Sequence, residues 1–188
     1  MKYSVKIVTR EFSPSEVAMV AGVSTALQRD WRRRGVIQGR SDGWNKYDLS
    51  DVIKMTVMRA FTQSGIALET AEALSGMAVL PVIAALSRWD DTAVFDGDEL
   101  NQEQMDRIRG GAVRGASEDD QFSFVALPEK DGNPVAARID NLAKGEQLMG
   151  QNKSFHGVTV DHYGLAHHIA NTSPLPIIRY EIEVKGDD

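Results

Sequence analysis

Apolar and polar positions alternate from Tyr3 to Val8, through Val5 and Ile7, and this period of two predicts a short strand. At Ser13 the pattern changes to that of a helix. Ser13 is placed to cap it, Pro14 occupies the first helical position, Glu16 completes a capping box, and Val17, Val20 and Ala21 form the buried side. Gly22 ends this helix and Ser24 caps the next, which runs to about Arg34 with Leu27 and Trp31 turned inward. Gly35 stops it. Val36–Ile37 and Trp44–Tyr47 are expected to pair as two short strands around Gly39–Gly43, making a wing. Asp48 or Ser50 starts a third helix with Leu49, Val52, Ile53, Val57 and Phe61 as its stripe, and Gly65 ends it. A fourth helix is predicted over residues 67–75.

From Gly76 onward the pattern is less regular. Met77–Trp89 is apolar and predicted helical, with Pro81 near its start. Residues 90–98 read as a loop and 99–109 as a more polar helix. Residues 110–120, GGAVRGASEDD, are the best linker in the chain. Strands are predicted at 122–127, 158–160 and 176–184. A Gly-Asn-Pro turn is expected at 132–134, a short helix at 163–170, and no assignment is made for the mixed stretch between them.

Charge sharpens this division. The net charge is −6, but residues 1–60 hold 11 Lys/Arg against 6 Asp/Glu, while the remainder holds 10 against 21. A basic head on an acidic body keeps a field of one sign on one face. The absence of cysteine excludes disulfides, thiolate catalysis and Cys-ligated zinc, and fits a reducing, cytoplasmic setting. Residues 1–10 do not read as a signal peptide, and no window of about 18 residues is expected to be apolar enough to span a membrane.

Two short helices meeting at a Gly-Val turn, the second bearing Arg29, Arg32, Arg33 and Arg34, then a wing and a third helix, read as a winged helix-turn-helix. The natural ligand of that arrangement is duplex DNA. The expected fold class is mainly α with an α+β tail: a DNA-binding head over residues 1–76, a helical connector or dimerisation segment over 77–110, and a small α+β domain over 121–188. In Gly22-Val23-Ser24, Trp31, Gly35-Val36-Ile37, Gly43-Trp44, Tyr47 and Gly65-Ile66 the chain resembles the MerR family of transcription regulators, over about residues 12–75. The resemblance implies a homodimer that reads palindromic DNA with its second helix in the major groove and its wing on the flanking backbone. Phage excisionases and small terminase subunits have similar heads, so a mobile-element DNA-architecture or packaging protein is the alternative function.

The candidate DNA contacts are Ser24, Thr25, Gln28, Arg29, Arg32, Arg33, Arg40, Trp44 and Lys46. Arginine presents a planar fork matching guanine or phosphate, and Arg29 and Arg32, three apart, share a helix face. Gln28 suits adenine, and Thr25 a phosphate or a thymine methyl. Arg40 and Lys46 suit backbone contact, and Trp44 suits packing of the wing. One of Arg33 and Arg34 is open to pairing with Asp30 or with an acid of the body.

All four histidines, His156, His162, His167 and His168, lie late in the chain near Asp161. The five-residue spacing of His162 and His167 does not place them on one helix face as ligands, so surface or packing roles are favoured over metal binding or catalysis. Ser154 and Ser173 have no nucleophile context, and no phosphate-binding glycine loop is present. No enzyme activity and no cofactor are expected. The tail leaves room for a protein or small-molecule effector. The helix at 77–89 is read either as a dimer contact or as part of the monomer's own core.

Overall fold

A computed structural model describes residues 2–38, 46–97, 100–112, 120–127, 133–154 and 156–185. The first strand, β1 (Lys2–Thr9), leads through the Phe12 bridge into α1 (Pro14–Val20), α2 (Thr25–Arg33) and α3 (Leu49–Gln63). Local chemistry sets these starts. The Ser13 hydroxyl accepts from the Glu16 amide at 3.3 Å, while the Ser13 amide donates to the Glu16 carboxylate at 2.7 Å. Asp48 and Asp51 exchange the same pair of bonds at 2.8 and 3.2 Å to open α3. These reciprocal contacts satisfy amides that a helix start leaves without partners. The bonds from the Ser13 amide, and from Arg10 at 2.6 Å, hold the Glu16 carboxyl below its ordinary range.

Beyond α3 come α4 (Leu68–Ser75), a 3₁₀ turn (Gly76–Ala78) and α5 (Val79–Leu86). Pro81 falls in the first turn of α5, where its missing N–H costs no helical bond. Together Leu68–Leu86 form 19 residues long and apolar enough, by length and composition, to cross a membrane, which the sequence reading did not anticipate. In the folded chain, α4 packs on α3, and α5 packs on a later helix, α8 (His162–Thr172).

Two small sheets complete the molecule. The first takes β1, β2 (Ala93–Gly97) and β6 (Ile178–Lys185), with β6 in the middle, antiparallel to β1 and parallel to β2. On β6, Ile178, Tyr180 and Ile182 are buried while Arg179 and Glu183 are exposed, the alternation of a half-buried strand. The second sheet has β3 (Phe122–Leu127) between β4 (Val135–Ile139) and β5 (His156–Asp161), all antiparallel. Phe124 and Ala126 pack with Ile139 and with Leu148 and Met149 of α7 (Leu142–Gln151), whereas Val125 on the opposite face joins the main core. A polar helix, α6 (Gln102–Ala112), lies against α5 and contributes buried Ile108.

The chain is therefore α+β, with eight α-helices and two three-stranded sheets among the described residues. This corrects the expected mainly α class with a winged helix-turn-helix head. The chain opens on a strand that belongs to a mixed sheet, Val36 and Ile37 form bends instead of a wing strand, and Tyr47 bridges Phe12. The wing residues 39–45 lie outside the described residues, as do 113–119 of the expected linker. Gly110–Ala112 belong to the end of α6. Residues 93–97, read as loop, form β2, and the unassigned stretch contains β4 and α7.

The main core crosses the boundaries expected from sequence. Val17, Val20 and Phe61 share it with Leu165, Ala166 and Ile169 of α8 and with Ile177, Ile178 and Tyr180. Gly97 closes β2 at φ +111°, and a Cβ there would lie 2.2 Å from the Ile182 carbonyl oxygen of the paired strand. Because the obstacle is backbone, Gly97→Ala is expected to destabilise the protein by more than about 2 kcal/mol in urea unfolding. A loss below about 0.5 kcal/mol, the range of an ordinary surface substitution, would contradict this pairing.

Candidate nucleic-acid interface

The second helix is two-faced because its inner face is anchored by unlike groups. Trp31 packs in the core at 3% exposure, and beside it Gln28 is fully buried. The Gln28 side-chain amide donates to the Pro14 carbonyl at 2.9 Å and to the Val23 carbonyl at 2.8 Å, tying α2 to the start of α1 and to the turn between them. This corrects the expectation that Gln28 faces a base: its amide is consumed inside the protein. It also corrects Leu27, expected inward, which is 36% exposed. Spacing alone pairs Trp31 with either neighbour, at i−4 or i−3. The backbone carbonyls that select Gln28 come from outside the helix.

The outer face carries Ala26, Arg29 and Arg33. Arg29 is exposed and, among the described residues, makes no ion pair. Arg33, one turn on, has a side chain 81% exposed and pairs with Asp30 on its own helix. Arg32 does not share this face as expected. It is half-buried, with Nε on the Gln28 carbonyl at 3.5 Å and its guanidinium 5.9 Å from the Tyr47 ring centre. Arg34 reaches Glu69 of α4 at 3.1 Å. Both residues left open to internal pairing are thus paired.

Ser24 is exposed, and its hydroxyl accepts from the Leu27 amide at 3.2 Å, so it caps α2 as predicted. Thr25 follows, half-buried. Lys46 is exposed and pairs with Glu11 at 2.7 Å. Arg40 and Trp44 lie outside the described residues. The structure therefore brings Ser24, Thr25, Arg29 and Arg33 onto one short helix, with Arg32 at its flank. Exposed pairs such as Arg34–Glu69 and Lys46–Glu11 contribute about 0.2–1 kcal/mol each, so a phosphate can compete for these cations.

The turn that joins the two helices is built on Gly22, at φ +62°. Any Cβ there would collide with Arg59, whose Nη1 would be 1.3 Å away. Arg59 of α3 donates to the Ala21 carbonyl at 3.4 Å, and His168 of α8 bonds the Val20 carbonyl at 2.7 Å. The Arg59 cation at the end of α1 suits the negative end of its dipole. The sequence reading missed Arg59, whose partner lies 38 residues away.

The histidines separate in space. Among the described residues, no group of three or more His, Asp or Glu side chains is arranged to hold a metal ion. His167 sits in an open cluster with a tilted Trp89 ring and an edge-on Tyr163 ring, at ring separations of 4.3 and 4.9 Å. His162 is buried between the Ser123 hydroxyl, 2.7 Å from Nε2, and the Asp120 carbonyl, 2.8 Å from Nδ1. A neutral ring that donates from Nδ1 and accepts at Nε2 satisfies both. Ser123 is as deeply buried, so this pair is a clamp between β3 and α8.

Two outcomes follow from these buried groups. Gln28→Ala is expected to lower stability by about 2–3 kcal/mol, because two buried carbonyls lose their donor. Its defect should appear in the urea midpoint of the free protein. Burial pushes the His162 pKa down from its ordinary value. The unfolded chain therefore binds a proton near pH 6.5 that the folded chain refuses, and stability declines as pH falls through that value. Melting between pH 7.5 and 5.5 checks this: the parent loses stability on acidification, and His162→Ala, weaker at pH 7.5, shows a shallower decline.

Compared with known proteins, the chain matches no protein-family model and no curated protein.

Proposed function

We propose that the protein is a cytoplasmic, sequence-specific regulator of transcription that binds duplex DNA as a homodimer, in the manner of the MerR-like proteins that residues 12–75 resemble. The observation that carries this reading is the outer face of α2, where Arg29 is exposed and makes no ion pair among the described residues, and Arg33 lies one turn along. The opposite face is locked by Trp31 and Gln28, so these guanidinium groups are held on a rigid short helix. Arginine on such a helix suits the O6 and N7 acceptors of guanine or a pair of phosphates. Ser24 and Thr25 at its start suit phosphate oxygens, with Lys46 on the flanking backbone. Arg32, held beside Tyr47, supports the field of the face.

In a dimer, two such helices about 34 Å apart read an inverted repeat on one side of the duplex. The acidic remainder of the chain disfavours unoriented contact with phosphate. An effector acting through residues 121–188 is part of the same proposal.

The test is selection from a random duplex library at near-physiological salt, followed by titration of the enriched sequence. A palindrome is expected. The pair Arg29→Ala and Arg33→Ala should weaken binding by about 10–100-fold and flatten the dependence of log K on log salt by about one unit for each of the two that neutralises a phosphate. Arg179→Ala, on β6 and paired with Asp96 at 3.4 Å, should bind as the parent does. Equal affinity and equal salt slope for the doubly substituted protein and the parent would remove the assignment of α2.

A further inference from the structure

Arg59 occupies an unusual position for a cation in this chain. Its guanidinium fills the space above Gly22 and donates to the Ala21 carbonyl, and among the described residues it makes no ion pair. It faces a pocket of about 220 Å³ between α1, α3 and α8, lined by Met19, Gly22, Thr56, Arg59, Gln63 and His168 with small apolar neighbours. Among the described residues, no carboxylate lines this pocket. The volume corresponds to roughly seven water molecules at about 30 Å³ each, enough for an oxyanion with a short tail.

We propose that this pocket binds a small oxyanion, a carboxylate or phosphate group, clasped by the free N–H groups of Arg59. Guanidinium is a planar fork of five donors, and its contact among the described residues, to the neutral Ala21 carbonyl, leaves most of that capacity unused. The charge of a half-buried arginine facing a concave site without acids is best balanced by an anion that enters from outside. Gln63 adds an exposed amide at the rim. Met19, 62% exposed beside the cation, offers an apolar contact to the tail. Arg59 also rests on the turn into α2, so an anion that draws the guanidinium outward relaxes its contact with Gly22. The site stands whether or not α2 meets DNA.

The experiment is a titration of the whole chain with inorganic phosphate and, separately, with butyrate, followed by amide chemical shifts. Expected are saturable shifts centred on Ala21, Gly22 and His168 with at least one probe, and the probe that binds names the source of the oxyanion. Arg59→Gln should weaken that binding by about tenfold or more, the usual range for a charged hydrogen bond. Should Arg59→Gln fail to fold, Gln63→Glu serves instead. Its exposed position leaves the core intact, and its carboxylate should weaken binding by a similar factor. Absence of saturable shifts with both probes, shifts confined to Arg29 and Arg33, or Gln63→Glu binding as the parent would overturn the proposal.

Discussion

The eight-residue pairing of Lys2–Thr9 with Ile178–Lys185 governs how the rest of the molecule is placed. It brings together segments about 175 residues apart in sequence and makes the late strand the centre of its sheet. With β6 fixed, the preceding helix α8 is directed onto α1 and α5, where Leu165, Ala166 and Ile169 fill the space left by Val17, Val20 and Val82. The short helices near the start of the chain therefore complete their packing with residues from its far end. Pairings of such separation carry a large loop-closure entropy and form late in folding. During synthesis, α1 and α2 emerge long before the strand and helix that enclose them.

Within that frame, the character of α2 follows from a competition between hydrophobic and directional forces. A leucine in the inner position would contribute burial alone. Glutamine at 28 is taken inward because two carbonyls, of Pro14 and Val23, require a donor, and an unmet buried carbonyl costs about 1–3 kcal/mol. Leu27 is displaced to the surface as a result. The exposed cations are then set by default: once Gln28 and Trp31 face inward, Arg29 and Arg33 face out. The surface ion pairs around them are weak compared with this internal anchoring.

How far these features can be read from sequence depends on the distance over which each is decided. Helix starts at Ser13, Ser24 and Asp48 are legible because the side chain that satisfies the amide lies three residues away. The burial of Leu49, Val52, Ile53, Val57 and Phe61 is legible because one helix carries a repeating stripe. By contrast, β2 is five residues long and pairs in parallel with residues 178–182, so no hairpin joins it to its partner. α7 contains Gly145 and Gly150, poor helix formers; Gly145 is present because Phe124 leaves no room for a Cβ. Tyr47 reads as a wing residue by its neighbours, yet it bridges Phe12, 35 residues earlier. The outward arginines were legible as a charged helix. Which two of them share the outer face was not, because that depends on acceptors outside the helix.

The bonds from Gln28 have a mechanical consequence. Apolar contacts are non-directional, whereas a side-chain amide held by two fixed carbonyls has a preferred distance and angle and resists both translation and roll. The first two helices consequently behave as one rigid lever. A partner that tilts the outer face of α2 must carry α1 with it, and the load is then transferred through Val20 and Ala21 to the side chains of His168 and Arg59.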